Sequence, residues 1–228
     1  MSQSLLQDVY FLLALLIAID VHECMHAVVA WQLGDPTALY RGRVTLNPLA
    51  HLDPLGGLMM VFMAFSHVGL GWGKPVPVNP NNLKNGPIVG EAMVSIAGPL
   101  SNLLTAAVVA IPLRLANNGF LPLQFLPGSL PVFLYIVFIV SVSLAVFNLL
   151  PIFPLDGYHF WLGVLHEVPI DAAKRLWFSL ASGPFQTYGP MILLALVFLG
   201  QGILGRIMSP VINFFGSLFL GGGGGPLY

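Results

Sequence analysis

His22 and His26 stand four residues apart with a glutamate between them, in the run His22-Glu23-Cys24-Met25-His26. Residues four apart on a helix share a face, so both imidazoles can bind one metal ion, as the His-Glu-x-x-His pattern does for zinc. Glu23, about a quarter turn round, can reach a water at that metal and act as general base. The setting is unusual for this chemistry. Leu5 to Ile19 before the motif is almost wholly apolar, and Ala27-Val28-Val29-Ala30-Trp31 continues after it. Ionisable side chains in such a stretch are costly in lipid, which favours a functional reading. Cys24 points roughly 200° away from His22 on a helix and reads as a small packed side chain rather than a ligand.

The elements that must hold this motif are membrane elements. Of the 228 residues, 57% are hydrophobic and only 7% are charged. A soluble domain carries about 25% charged residues, so the composition describes a multi-pass membrane protein. The fold class expected is all-α and polytopic. The net charge of −1 gives no basic face for nucleic acid. One cysteine allows no intrachain disulfide. Met1-Ser2-Gln3-Ser4 lacks the basic start of a signal peptide.

Four segments reach the ~20 apolar residues that a bilayer crossing needs, roughly 5–31, 88–113, 130–150 and 191–220. The last is interrupted by Gly200, Gly202, Gly205 and Pro210 and carries Arg206. A fifth run, 55–70, is shorter, holds His67, and reads as re-entrant or as a strand hairpin. Within it Gly57-Leu58-Met59-Met60-Val61-Phe62 is a candidate edge strand on which an extended substrate can pair. Residues 1–220 form one membrane-embedded domain in this reading, and 221–228 a flexible Gly-rich tail. Asp171 to Leu180 mixes charged and aromatic residues, which fits a short interfacial helix or, equally, a plain surface loop.

Basic residues orient the chain. Arg41, Arg43, Lys74 and Lys84 lie in the first connection, Lys174 and Arg175 in the third, and the loop from Leu115 to Ser129 has none. By the positive-inside rule the first and third connections are cytoplasmic.

A catalytic zinc typically takes three protein ligands. His51, Asp53, His67, Asp156, His159 and His166 are the candidates for the third. Asp156 stands out, because Pro151, Pro154 and Gly157 end a helix around it and let the carboxylate turn inward. Topology adds a condition. If the 55–70 run re-enters, His26 and Asp156 meet near the cytoplasmic face; if it crosses, they lie on opposite faces. Asn102 and Asn148, polar groups beside apolar segments, are candidates for binding a substrate carbonyl or oxyanion, with interhelical hydrogen bonding as the alternative.

These residues together resemble the site-2 protease family of intramembrane zinc metalloproteases, in its compact bacterial and archaeal branch without PDZ or CBS modules. The resemblance runs from His22 to Gly157. It rests on His-Glu-x-x-His, on Asn148 to Gly157 with its Leu-Asp-Gly, and on Gly98-Pro99-Leu100-Ser101-Asn102. It rests also on Gly42 to Pro48 with His51-Leu52-Asp53-Pro54-Leu55-Gly56, and on Gly71 to Pro80. It implies that His22, His26 and Asp156 ligate one Zn2+ per chain, that Glu23 is the base, and that a transmembrane protein substrate is cleaved in the cell membrane. A zinc transporter or a non-proteolytic helix-binding relative are the rival readings; a transporter would step its ligands along a pathway rather than gather them at one depth.

Overall fold

The computed structural model describes residues 3–66, 68–120 and 128–221. Among them ten α-helices follow one another: α1 (Gln3–Gln32), α2 (Thr37–Tyr40), α3 (Pro48–His51), α4 (Pro54–Ser66), α5 (Pro87–Asn117), α6 (Leu130–Asn148), α7 (Asp156–Glu167), α8 (Asp171–Ala181), α9 (Gly183–Phe198) and α10 (Gln201–Leu220). Four are long and apolar enough to cross a membrane: α1, α5, α6 and, from Gly202, α10. At 1.5 Å per residue α1 and α5 run about 45 Å, more than the ~30 Å apolar core of a bilayer.

Small residues set how closely these helices approach. Ala14, Ala18, Ala27 and Ala30 on α1 and Ala106 on α5 are fully buried. With little hydrophobic drive between helices in lipid, such residues let backbones pack on dispersion forces and hydrogen bonds. α1, α5 and α6 form the central bundle, α7 lies on α5, and α10 lies on α5 and α6. Phe138 and Val142 of α6 pack with Ala106, Ala110 and Leu113 of α5 and with Leu220 of α10.

The 55–70 run is helical up to Ser66, so the strand hairpin is not formed; His67 and the tail 222–228 lie outside the described residues. The reason lies at its start. Pro54 opens α4, and Asp53 Oδ1 accepts the Gly56 amide at 2.8 Å, a helix-starting cap ahead of Leu- and Met-rich sequence. A helix also satisfies its own backbone at membrane depth without a partner strand. Gly57–Phe62 is therefore no free edge, and Met60 is buried against α1. Thirteen residues make about 20 Å, too short to cross. An antiparallel bridge joins Leu52, just before α4, to Gly73, just after it, so the chain returns to the level it left.

The fourth apolar run also differs from a single span. It breaks at Leu199–Gly200 into α9 and α10, and α8 and α9 meet at a 67° bend. α8 has no buried residue and exposes Leu176 and Phe178. Of the two readings of Asp171 to Leu180, the helix is the one formed.

Asp35 pins the connection that follows α1. Fully buried, it accepts from Thr37 Oγ1 at 2.6 Å, the Asn79 amide at 2.6 Å and Asn82 Nδ2 at 2.9 Å. Burial works to raise its pKa, but these donors outweigh it and hold the carboxyl below its ordinary value of 3.8. A depressed carboxylate stabilises the fold above its unfolded pKa, and that contribution is lost as pH falls through the folded value. Asp35→Ala is expected to cost about 3 kcal/mol at pH 7 by removing charge-assisted bonds and stranding their donors. It should also flatten the loss of stability below about pH 4, since the group that titrates there is gone. Thermal denaturation of parent and variant at pH 7 and below pH 4 checks both.

Candidate metal centre

Three elements bring the site together. α1 supplies His22 and His26 one turn apart, both under a tenth exposed. α7 supplies Asp156 as its first residue. Asp156 reaches the histidines because the chain doubles back after α6. A Cβ on Gly157 would lie 2.3 Å from the Leu149 carbonyl carbon, so only glycine permits that approach.

Asp156 Oδ2 lies 2.9 Å from His22 Nε2 and 3.3 Å from His26 Nε2. Among the described residues, this is the group of three His, Cys, Asp or Glu side chains whose donor atoms gather closely enough for one ion, all within 4.8 Å. Ligand atoms on a tetrahedral zinc stand about 3.3 Å apart, given bonds near 2.0–2.1 Å. The set also has zinc's usual N and O donors.

The far side of each imidazole is tied to α5. His26 Nδ1 donates to the Val94 carbonyl at 2.8 Å, which leaves Nε2 as the free lone pair facing Asp156. His22 Nδ1 meets the Asn102 side-chain amide at 3.0 Å. With the Asn102 nitrogen on that contact, its Oδ1 is fully buried without a partner. Turning the amide by 180° lets His22 Nδ1–H donate to Oδ1, freeing His22 Nε2 for metal. One change thus satisfies the orphaned oxygen and gives the metal-binding tautomer. Gly98 completes the cradle: a Cβ there would come within 2.5 Å of His26 Nε2 and 2.6 Å of His22 Nε2. The residues present therefore fit a zinc ion.

Glu23 is half-buried on α1 beside the ligands, its Cγ next to Gly73. Asn148 donates to Leu144 O of its own helix at 3.0 Å. His51 Nε2 donates to Thr45 O, Asp53 caps α4, His159 Nδ1 faces Glu91 Oε1 at 3.5 Å, and His166 packs on Trp177. None of these joins the cluster. Two residues near the cluster, Gly98 and Asp20, are not among the candidates picked out from the sequence. The signals were present: Gly98 and Asn102 are four apart and so share a face toward His22, and Asp20 is a carboxylate inside an apolar run.

Residues 124–181 match peptidase family M50. A Bacillus subtilis (strain 168) protein named as a zinc metalloprotease, YwhC, is 40% identical over 150 residues, 65% of this chain and 66% of that protein. The chain belongs to the site-2 protease family, peptidase family M50. Other members with a zinc-metalloprotease name are similar too. Rip2 of Mycobacterium tuberculosis (strain H37Rv) is 33% identical over 145 residues, 63% of this chain and 52% of Rip2. Rip2 of Mycolicibacterium smegmatis is 33% identical over 144 residues, 63% of this chain and 52% of that protein. The chain thus spans about half to two thirds of the length of these family members. No solved structure matches.

Proposed function

We propose that the chain is an intramembrane zinc metalloendopeptidase that hydrolyses peptide bonds within or near transmembrane segments of membrane proteins. The observation that carries this reading is the convergence of Asp156 on His22 and His26, which lie with Glu23 in a helix apolar enough to span a membrane. His22 and His26 through Nε2, and Asp156 through its carboxylate, hold one Zn2+ per chain. Bound there, zinc supplies Lewis acidity that makes a water easier to deprotonate and a peptide carbonyl easier to attack.

Glu23 takes the proton of the attacking water and later delivers it to the leaving amine. The Val94 carbonyl fixes the orientation of the His26 ring. Asn102 does the same for His22, so its role is positioning a ligand rather than binding an oxyanion. Asn148, held by Leu144 O, keeps only its Oδ1 and one amide hydrogen for a substrate backbone. The lysines and arginines of the first and third connections put this site toward the cytoplasmic side.

Zinc analysis of the purified protein tests the ligand set. The parent is expected to hold one zinc per chain and Asp156→Ala well under half of that; equal zinc in both would name another ligand. Asn102→Ala is expected to weaken zinc binding about 10- to 100-fold, the usual cost of losing the hydrogen bond behind a ligand. Competition with a chelator of known affinity reads that change. Asn102→Asp, which keeps an acceptor for His22 Nδ1, should recover most of it.

A further inference from the structure

Asp20 lies on α1 one turn before Glu23, and His51 ends α3; they are 8% and 1% exposed. His51 Nε2 donates to the Thr45 carbonyl at 2.9 Å. A carbonyl only accepts, so the proton of the neutral ring is on Nε2 and Nδ1 is an acceptor. Neither His51 Nδ1 nor Asp20 Oδ1 meets a hydrogen-bond partner. The distance from Asp20 Oδ1 to His51 Nε2, 3.9 Å, is too long for a hydrogen bond.

Both residues line one small, partly open cavity, walled otherwise by Leu16, Ile19, Pro48 and Leu52, with about 10 Å3 for the centre of a water molecule. That is room for about one water. Two buried acceptors facing such a space lack two hydrogens, and a single water supplies two.

The place of this pair gives it a consequence for the reaction. The His51 carbonyl accepts the Lys74 amide at 2.7 Å, and Leu52 bridges to Gly73. Gly73 lies on α1 so closely that a Cβ there would stand 2.7 Å from Ile19 Cγ2 and 3.3 Å from Glu23 Cγ. The seat of α3 on α1 therefore decides how residues 71–74 cover Glu23.

We propose that Asp20 and His51 close around one ordered water, and that this joint makes His51 a positioning residue that seats residues 71–74 against Glu23. The importance of Glu23 rests on the protease reading above; the water and the seating do not.

The test joins a crystal structure of the full chain to three measurements on the parent, His51→Leu and His51→Gln. These are zinc content, hydrogen exchange of the 71–74 amides, and kcat and KM for a membrane protein that accumulates when Glu23 is replaced by Gln. An ordered water within hydrogen-bond distance of both Asp20 and His51 is expected. His51→Leu should keep its zinc, exchange the 71–74 amides at least tenfold faster, and lose at least tenfold in kcat with KM within about twofold. His51→Gln, whose amide can still bond that water, should recover to within about threefold of the parent. A dry cavity in a structure that resolves other buried waters overturns the proposal. So does His51→Leu with parental exchange, or a Gln variant as impaired as Leu. A parent that cleaves nothing would defeat the protease reading alone, and the water and the exchange would still decide this one.

Discussion

Glu23→Gln is expected to leave one zinc bound per chain and to lower peptide cleavage by about 10^3-fold, a typical loss for removing a general base. The two effects separate because Glu23 lies on α1 next to His22 but outside the cluster formed by His22, His26 and Asp156. Glutamine keeps the size and the hydrogen-bonding reach of the side chain, so helix packing around Gly73 is unchanged. It cannot take a proton from water at neutral pH. Zinc content by metal analysis and cleavage of a membrane substrate read the two halves. Loss of zinc in this variant would make Glu23 a ligand or a structural group instead.

The second large effect is expected at Gly98, where Gly98→Ala should bring zinc occupancy below about a tenth of the parent's. Contacts of 2.5 and 2.6 Å between an added Cβ and the two Nε2 atoms cannot be accommodated in place. The rings cannot simply move aside, since the Val94 carbonyl and Asn102 hold them from behind. In a helix interior, alanine is otherwise better than glycine by about 1 kcal/mol. The same clash exists without metal and outweighs that gain, so the metal-free variant should melt below the metal-free parent, and zinc is read on the fraction that is still folded. Metal analysis together with thermal melting in chelator gives both numbers. Full zinc occupancy in Gly98→Ala would mean that the ion is held elsewhere.

The sequence revealed most where chemistry and environment conflict. Two histidines and a glutamate in an apolar span have few explanations, so a candidate metal pair stands out from five residues. Asp156 stands out because prolines and a glycine end α6 around it, although its closeness to the histidines needed the fold. The helices α1, α5 and α6 followed from apolar length, whereas the charge pattern of α8 fitted a surface loop as well as a helix. The 55–70 run was ambiguous because a short apolar stretch has no decisive period. Its state was settled by Asp53 and Pro54, which together start a helix. The fourth run breaks at Gly200, one of the interruptions its sequence carries, and the part from Gly202 is long enough to span by itself.

What stayed hidden depends on contacts across the chain. From sequence Asn102 could face substrate or hydrogen-bond between helices; its contact with His22 of α1 is the second of these, and a residue's face on a helix does not say which neighbour occupies that face. Asp20 and His51 are 31 residues apart and form a pair only because α3 folds onto α1.

The central claim is that this zinc centre cuts peptide bonds inside membranes. Quantitative proteomics of membranes from cells making the parent protein or the Glu23→Gln variant tests it most directly. At least one single-pass protein should accumulate at full length with the variant, and with the parent show a new terminus inside its apolar segment that disappears when zinc is chelated. Identical membrane proteomes and no such terminus, with both proteins holding zinc, would contradict it.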